Sequence, residues 1–279
     1  MVLYHGGGCL DGFASAYAAH CYFRNFPERR TQYLACKHGE QPPIVSGKDV
    51  YLVDFSYKRE VMSELCLTAE RVIVLDHHIS AWEDLEGLDL ELDNLELNFD
   101  MERSGAVITW EYFHNDPVPF LLACVQDRDL WRFRIPESKN LNAALMSYAF
   151  SFEMWDDLVT QPQALQDLLA EGRAINRFRD ELIKLHKEKA VIGNIAGFDV
   201  PIVNAPNAIV SELLNLLSRG YPFAASYSDN GSKRGWSLRS QEDGVNVADI
   251  ASLFGGGGHP RAAGFSTPMP KGSLNIQPR

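Results

Sequence analysis

Three apolar runs early in the chain each stop at an acid or a histidine, and that repetition restricts the fold more than any other feature. Met1-Val2-Leu3-Tyr4 ends at His5, Val50-Tyr51-Leu52-Val53 at Asp54, and Val72-Ile73-Val74-Leu75 at Asp76. Short runs of this kind, bounded and rich in β-branched or aromatic residues, are buried strands rather than helix segments. Helix-like stretches lie between and after them: alanine-rich Phe13 to Phe26, then Lys58 to Ala69 and Ser104 to Phe113. A further apolar run, Pro119 to Val125, leads to Asp127. Strands alternating with helices imply a parallel sheet with helices on its faces. Ligands of such sheets bind at the carboxyl ends of the strands. His5, Asp11, Asp54, Asp76, His77 and Asp127 are therefore expected to converge, although they are spread over nearly half of the chain.

Pro162 to Lys189 reads as a long amphipathic helix, with Ile175, Leu182 and Leu185 on its apolar face. It suits either a connector or an ordinary helix of the first domain. A second alternation begins at Val191. VIGNIAGFDVPIVNA predicts two strands around a turn at Gly197, followed by a helix from Ser211 to Ser218 and the strands FAASYSD and GWSLRS. The last feature is DIASLFGGGGHPRAAGF, and the tail after Pro268 is expected to be loosely ordered. This divides the chain into an α/β domain over residues 1–160, a connecting helix over 161–190 and a smaller α/β domain over 191–279, with a cleft between the domains.

The charge balance narrows the partners. With 26 basic and 37 acidic residues the net charge is −11, whereas proteins that wrap long nucleic acid draw affinity from neutralising phosphates. A small or short anionic substrate at a local site fits better than a long duplex. No stretch approaches the roughly 18 consecutive apolar residues of a membrane span, and MVLYHGGGCLDG lacks the basic and apolar regions of a signal peptide. A cytoplasmic location is expected, with no membrane partner. Five cysteines, odd in number and without a C-x-x-C pair, argue against a disulfide framework or a structural zinc site. Cys21, Cys36, Cys66 and Cys124 are expected to be small core residues. Cys9, near His5 and Asp11, is a separate matter.

Packing gives no reason to gather Asp76, His77 and His78 in a row at a strand end. Two-metal phosphoesterases draw their ligands from histidines and carboxylates, one carboxylate bridging two cations. Carboxylate with imidazole suits Mn²⁺. An aspartate after a strand is, taken singly, more often a turn former or helix cap, but the consecutive triplet is not explained that way.

The motifs resemble those of the DHH phosphoesterase family along nearly the whole chain. His5-Gly-Gly-Gly-Cys9-Leu-Asp11-Gly12 is similar to the first motif, Tyr51-Leu-Val-Asp54 to the second, Asp76-His77-His78 to the third and Cys124-Val-Gln-Asp127-Arg-Asp129 to the fourth. Phe254-Gly-Gly-Gly-Gly-His259-Pro-Arg261-Ala-Ala-Gly264 resembles the substrate loop of the DHH-associated C-terminal domain. The resemblance implies one cation on His5, position 9 and Asp54, and a second on Asp11, Asp54, His77 and Asp127, with Asp54 bridging. His78 would contact the substrate phosphate and Asp76 would orient a histidine. Mn²⁺ is the implied ion, with Mg²⁺, Co²⁺ or another divalent cation as alternatives. Cys9 departs from the family's aspartate. It is either a soft ligand better suited to Zn²⁺ or Fe²⁺, or a small neighbour of a site in which Asp11 does more. Asp127 is favoured over Asp129 by its position after the apolar run, leaving Asp129 a supporting role. Arg103 and Ser104 precede a helix and could meet an anion at its N-terminus, although Ser104 as an ordinary cap is the simpler reading.

In the second domain, Gly256, Gly257 and Gly258 are expected to bring backbone N–H groups to a phosphate. His259 and Arg261 would add charge, and Arg239 would point at the same group. Together these features predict a divalent-metal phosphodiesterase acting with metal-activated water on short oligonucleotides or dinucleotides, as an oligoribonuclease or exonuclease does. The alternatives are a phosphomonoesterase on nucleotides of the 3′-phosphoadenosine 5′-phosphate type and a catalytically weak nucleotide-binding regulator. No G-x-S-x-G nucleophile motif is present. Tyr57, Trp131 and Phe133 could stack on a base or simply pack. The oligomeric state is left open.

Overall fold

A computed structural model describes residues 1–269 and divides the chain into two compact units, Met1–Asn176 and Arg177–Arg279. The expectation for the tail falls, from residue 270 on, outside the described residues.

The first unit is built on a five-stranded, wholly parallel sheet. Its strands are β1 (Val2–His5), β2 (Tyr33–Cys36), β3 (Asp49–Val53), β4 (Arg71–Asp76) and β5 (Leu95–Phe99), in the order β2-β1-β3-β4-β5. The predicted alternation of strands and helices is thus realised as a parallel sheet. β2 and β5 were not legible as strands, because Tyr33-Leu34-Ala35-Cys36 is short and Leu95-Glu96-Leu97-Asn98-Phe99 alternates with polar residues. Central strands bury both faces. Leu52 and Val74 join Met62 and Leu65 of α2 (Arg59–Cys66) on one side, while Val53 and Leu75 join Ala19 and Phe23 of α1 (Leu10–Phe23) on the other. This two-sided burial explains why the strands read as continuous apolar runs.

α1 is buried nearly all round, because it also packs against α4 (Gly105–Phe113) and α5 (Phe120–Asp129). Its alanines permit that close approach. Around them lie α3 (Ile79–Leu85), α6 (Ser138–Leu145), α7 (Phe152–Thr160) and the start of α8 (Pro162–Lys187). The dividing line between the units falls inside α8. Leu168 and Leu169 belong to the first unit's core, and Ile183 to the second's.

The second unit holds a six-stranded mixed sheet, β10-β11-β9-β8-β7-β6. β6 (Val191–Ile195) and β7 (Phe198–Asn204) form a hairpin whose two turn residues, Ala196 and Gly197, both have positive φ, as a tight primed turn requires. β7 runs parallel to β8 (Ala224–Asn230), with α9 (Asn207–Leu217) between them. β9 (Lys233–Arg239), α10 (Val247–Ser252), β10 (Gly257–His259) and β11 (Ala262–Pro268) complete the unit. Among the described residues no helix is long and apolar enough to cross a membrane.

Candidate metal centre

In the first sheet the chain passes from β1 to β2 on one side and then returns to β3 on the other. The strand order therefore switches direction between β1 and β3, the place where open α/β sheets form their ligand crevice. His5 ends β1 and Asp54 immediately follows β3. Asp54 takes a left-handed φ of +54°, a region in which aspartate and asparagine are the better-tolerated side chains. Two glycines let helices come close. A Cβ on Gly12 would lie 2.2 Å from the carbonyl of His5, and one on Gly105 would lie 2.5 Å from Cβ of Asp54. Thus α1 and α4 press their N-termini onto the two strand ends, which carries Asp11 into the crevice.

The Asp54 carboxylate divides its two oxygens between two groups of side chains. Oδ2 lies 3.4 Å from Cys9 Sγ and 3.5 Å from His5 Nδ1. Oδ1 lies 3.2 Å from His77 Nε2, which is also 3.5 Å from Asp129 Oδ2 and 3.8 Å from Asp11 Oδ2. Donor atoms of His5, Cys9 and Asp54 fall within 4.8 Å of one another, and so do those of Asp11, His77 and Asp129 and those of Asp54, Asp76, His77 and His78.

The donor set suits divalent cations. His5 Nδ1 is buried without a hydrogen-bond partner, and three carboxylates converge on the single imidazole of His77. Burial disfavours ionised Asp54, but its contacts with His5 and His77 hold its carboxyl far below the usual range. Asp11 goes the other way: burial, then the neighbouring charges of Asp54 and Asp129, push it well above that range. Burial opposes a charge on His77, yet Asp54, Asp129 and Asp11 push its pKa up to about 10. Burial, followed by Asp54 and Asp11, raises the Cys9 thiol well above its ordinary value.

Asp76, the remaining carboxylate of these groups, is engaged by its own segment. Its Oδ1 accepts from the backbone N–H of His77 at 2.7 Å and of His78 at 3.3 Å, and lies 2.6 Å from His78 Nδ1. This fixes the ring of His78. Burial works against a charge there, but the Asp76 carboxylate raises its pKa.

The expectation for Asp127 is corrected by the structure. The run leading to it is helix α5, not an approach to a strand end, and Asp127 is turned inward. Its carboxylate accepts from Arg134 N at 2.7 Å, Ile135 N at 3.1 Å and Ser138 Oγ at 2.5 Å, tying the chain after α5 to the helix. Asp129 is the residue that reaches His77. On a helix, residues two apart point about 200° apart, so only one of the pair can face the crevice. Ser104 is likewise not the chemical cap of α4. It occupies the N-cap position without a side-chain bond, and the N–H groups of Gly105 and Ala106 donate to Asp11 at 2.7 and 3.3 Å. The helix N-terminus thus meets a carboxylate of the protein itself, while Arg103 pairs with Asp100 and Glu111.

His38, unread in the sequence, stands beside the centre. Its ring centroid is 5.4 Å from that of His5 and 4.9 Å from that of Phe55. It follows β2, so the rule that found His5 would have found His38 had that strand been legible. Of the aromatics considered for stacking, Tyr57 is buried in the core, whereas Trp131 is exposed and packs edge-on against Phe133 at 4.8 Å.

In the second unit, Gly256 lines a cavity of about 590 Å³ together with Asn207, Ser226, Ser228, Lys233 and Ser237. Gly257, Gly258 and His259 form β10 and pair with β11. Arg239 donates to Ser211 Oγ at 3.0 Å. Arg261 does not present the open fork expected of a phosphate grip. Its two terminal nitrogens donate to the carbonyls of Glu242, Gly244 and Val245.

Residues 202–274 match the DHHA1 domain model. An uncharacterized protein of Acanthamoeba polyphaga mimivirus is 31% identical, over 99% of this chain and 69% of that protein. Among solved structures, the DHH domain of a member of a ribosomal-protein family superposes with a TM-score of 0.63 at 12% identity, covering 96% of this chain and 82% of the other. The pGpG-specific phosphodiesterase PggH of Vibrio cholerae gives 0.52 at 14% identity, covering 96% and 93%.

Proposed function

The chain belongs to the DHH phosphoesterase family and carries its DHHA1 domain, and we propose that it is a divalent-metal-dependent phosphodiesterase that hydrolyses short oligonucleotides or dinucleotides to mononucleotides. The observation that carries this reading is the division of Asp54, one oxygen toward His5 and Cys9 and the other toward His77. A carboxylate so placed can bridge two cations, with Asp11 and Asp129 completing the side of His77. Bound there, Mn²⁺ or a similar ion would supply Lewis acidity and make water nucleophilic near neutral pH.

The chain's own residues do the rest. Asp76 holds His78 by Nδ1 and favours its charged form, which suits the ring to a phosphoryl oxygen that gains negative charge in the transition state. Gly12 and Gly105 fix the spacing of Asp11 and Asp54 through helix–strand contacts. The net charge of −11 favours a short substrate over a long strand, whose binding depends on many phosphate contacts. PggH, of similar fold, acts on a dinucleotide, which lies within the proposed class.

The test is turnover of labelled RNAs from the dinucleotide upward in Mn²⁺, beside cyclic dinucleotides and a nucleoside 3′,5′-bisphosphate. Fastest release of mononucleotide from the shortest linear substrates is expected. Preference for the bisphosphate would replace this reading with a phosphomonoesterase. Tight nucleotide binding without any turnover would replace it with a regulator.

Cation binding is expected to release protons. Cys9, Asp11 and His77 all have raised pKa values, and each must lose its proton to become a ligand. His77 is charged below about pH 10, so affinity should rise with pH through the neutral range, by up to about tenfold per pH unit for each proton displaced. Calorimetry of Mn²⁺ binding in buffers of different ionisation enthalpy reads the release directly. An enthalpy independent of buffer would contradict it.

A further inference from the structure

The two sides of Asp54 differ in chemical character. Toward His77 the donors are carboxylate oxygens from Asp11, Asp54 and Asp129 with one imidazole nitrogen. Toward His5 they are one imidazole nitrogen, one carboxylate oxygen and the sulfur of Cys9. Capping does not account for that sulfur. Cys9 is the N-cap of α1 and accepts from Gly12 N at 3.4 Å, but serine, aspartate and asparagine cap better, and cysteine is not among the favoured residues. Core packing does not account for it either. The other four cysteines are buried, whereas Cys9 is half-buried and directs Sγ at a carboxylate. The neighbouring His5 Nδ1 is a buried nitrogen without a hydrogen-bond partner, and it lies 3.5 Å from the same Asp54 oxygen that Cys9 Sγ faces.

We infer that the centre holds two chemically different cations: a thiophilic ion of the Zn²⁺ or Fe²⁺ type on His5, Cys9 and Asp54 Oδ2, and a hard ion of the Mn²⁺ or Mg²⁺ type on Asp11, His77, Asp129 and Asp54 Oδ1. Thiolate with imidazole selects the softer ions, and carboxylate-rich sets the harder ones. Three protein donors on the first side also match the ligand number of catalytic zinc sites, which keep one position open. This inference rests on the metal-phosphoesterase reading above and assigns the identity of its ions.

The experiment dialyses metal-free protein anaerobically against Mn²⁺ in large excess over Zn²⁺, because Zn²⁺ binds the same nitrogen and oxygen donors more tightly than Mn²⁺, and counts the bound metals. In parallel, Co²⁺ is bound and the near-ultraviolet absorption is scanned for sulfur-to-cobalt charge transfer. One Zn²⁺ and one Mn²⁺ per chain are expected, with a charge-transfer band in the wild type that is absent from Cys9→Ser and Cys9→Asp. Cys9→Asp should take Mn²⁺ at both positions. The band is read on the wild-type protein and so stands even if a variant folds poorly. Two Mn²⁺ per chain with no band would overturn the mixed centre. Dinucleotide hydrolysis by the same samples separates the two readings: turnover without the band removes only the mixed centre, and the band without turnover removes only the phosphodiesterase.

Discussion

Asp54→Asn is expected to lower kcat for dinucleotide hydrolysis by about three orders of magnitude or more, since removing even one stabilising group from a transition state costs on the order of 10²–10³ and Asp54 serves both sides of the centre. An amide offers one acceptor oxygen in place of two. It can keep the contact to His77 or the one facing His5 and Cys9, but not both as ligands. Asparagine is the apt replacement because it tolerates the left-handed backbone at this position. Stability should change little: the lost attraction to His77 is offset by relief of the repulsion that raises Asp11. The variant is assayed for kcat, bound metal and urea midpoint. A kcat within tenfold of wild type, with both metals retained, would remove Asp54 from its bridging place.

The second large effect separates two aspartates of the same helix. Asp129→Asn should cost about a hundredfold or more in turnover and lower the metal content, because its Oδ2 stands 3.5 Å from His77 Nε2. Its urea midpoint should stay near that of wild type, as the side chain is 31% exposed and holds no other part of the fold. Asp127→Ala should do the reverse. It leaves two backbone N–H groups and the Ser138 hydroxyl without their acceptor, and bonds to a charged group contribute roughly 1.5–3 kcal/mol each. A loss of about 3 kcal/mol or more in urea denaturation is expected, with metal still bound at low temperature. If Asp127→Ala lost the metal and kept its stability, the assignment would be inverted.

Most of the fold was legible because buried parallel strands have a plain signature. Runs such as Val72-Ile73-Val74-Leu75 are apolar on both faces, and each stops where the chain leaves the core. The same rule located His5, Asp54 and Asp76. It failed at His38, whose strand is short and half-exposed, and it failed at Asp129 for a different reason. An apolar run followed by Asp-x-Asp was read by its distance from the run, whereas the answer depended on which face of a helix each residue occupies.

The sequence by itself determined the alternating architecture, the order of the motifs and the kinds of donor atoms available, since these follow from side-chain chemistry and the periods of strand and helix. Only the tertiary structure decided which donors lie together. The division of Asp54 between two groups, the turn of Asp127 inward and Asp129 outward, and the engagement of Arg261 with a turn all depend on distances between segments far apart in the chain. Those distances are set by packing, here by helices seated on Gly12 and Gly105, and local sequence pattern carries no record of them.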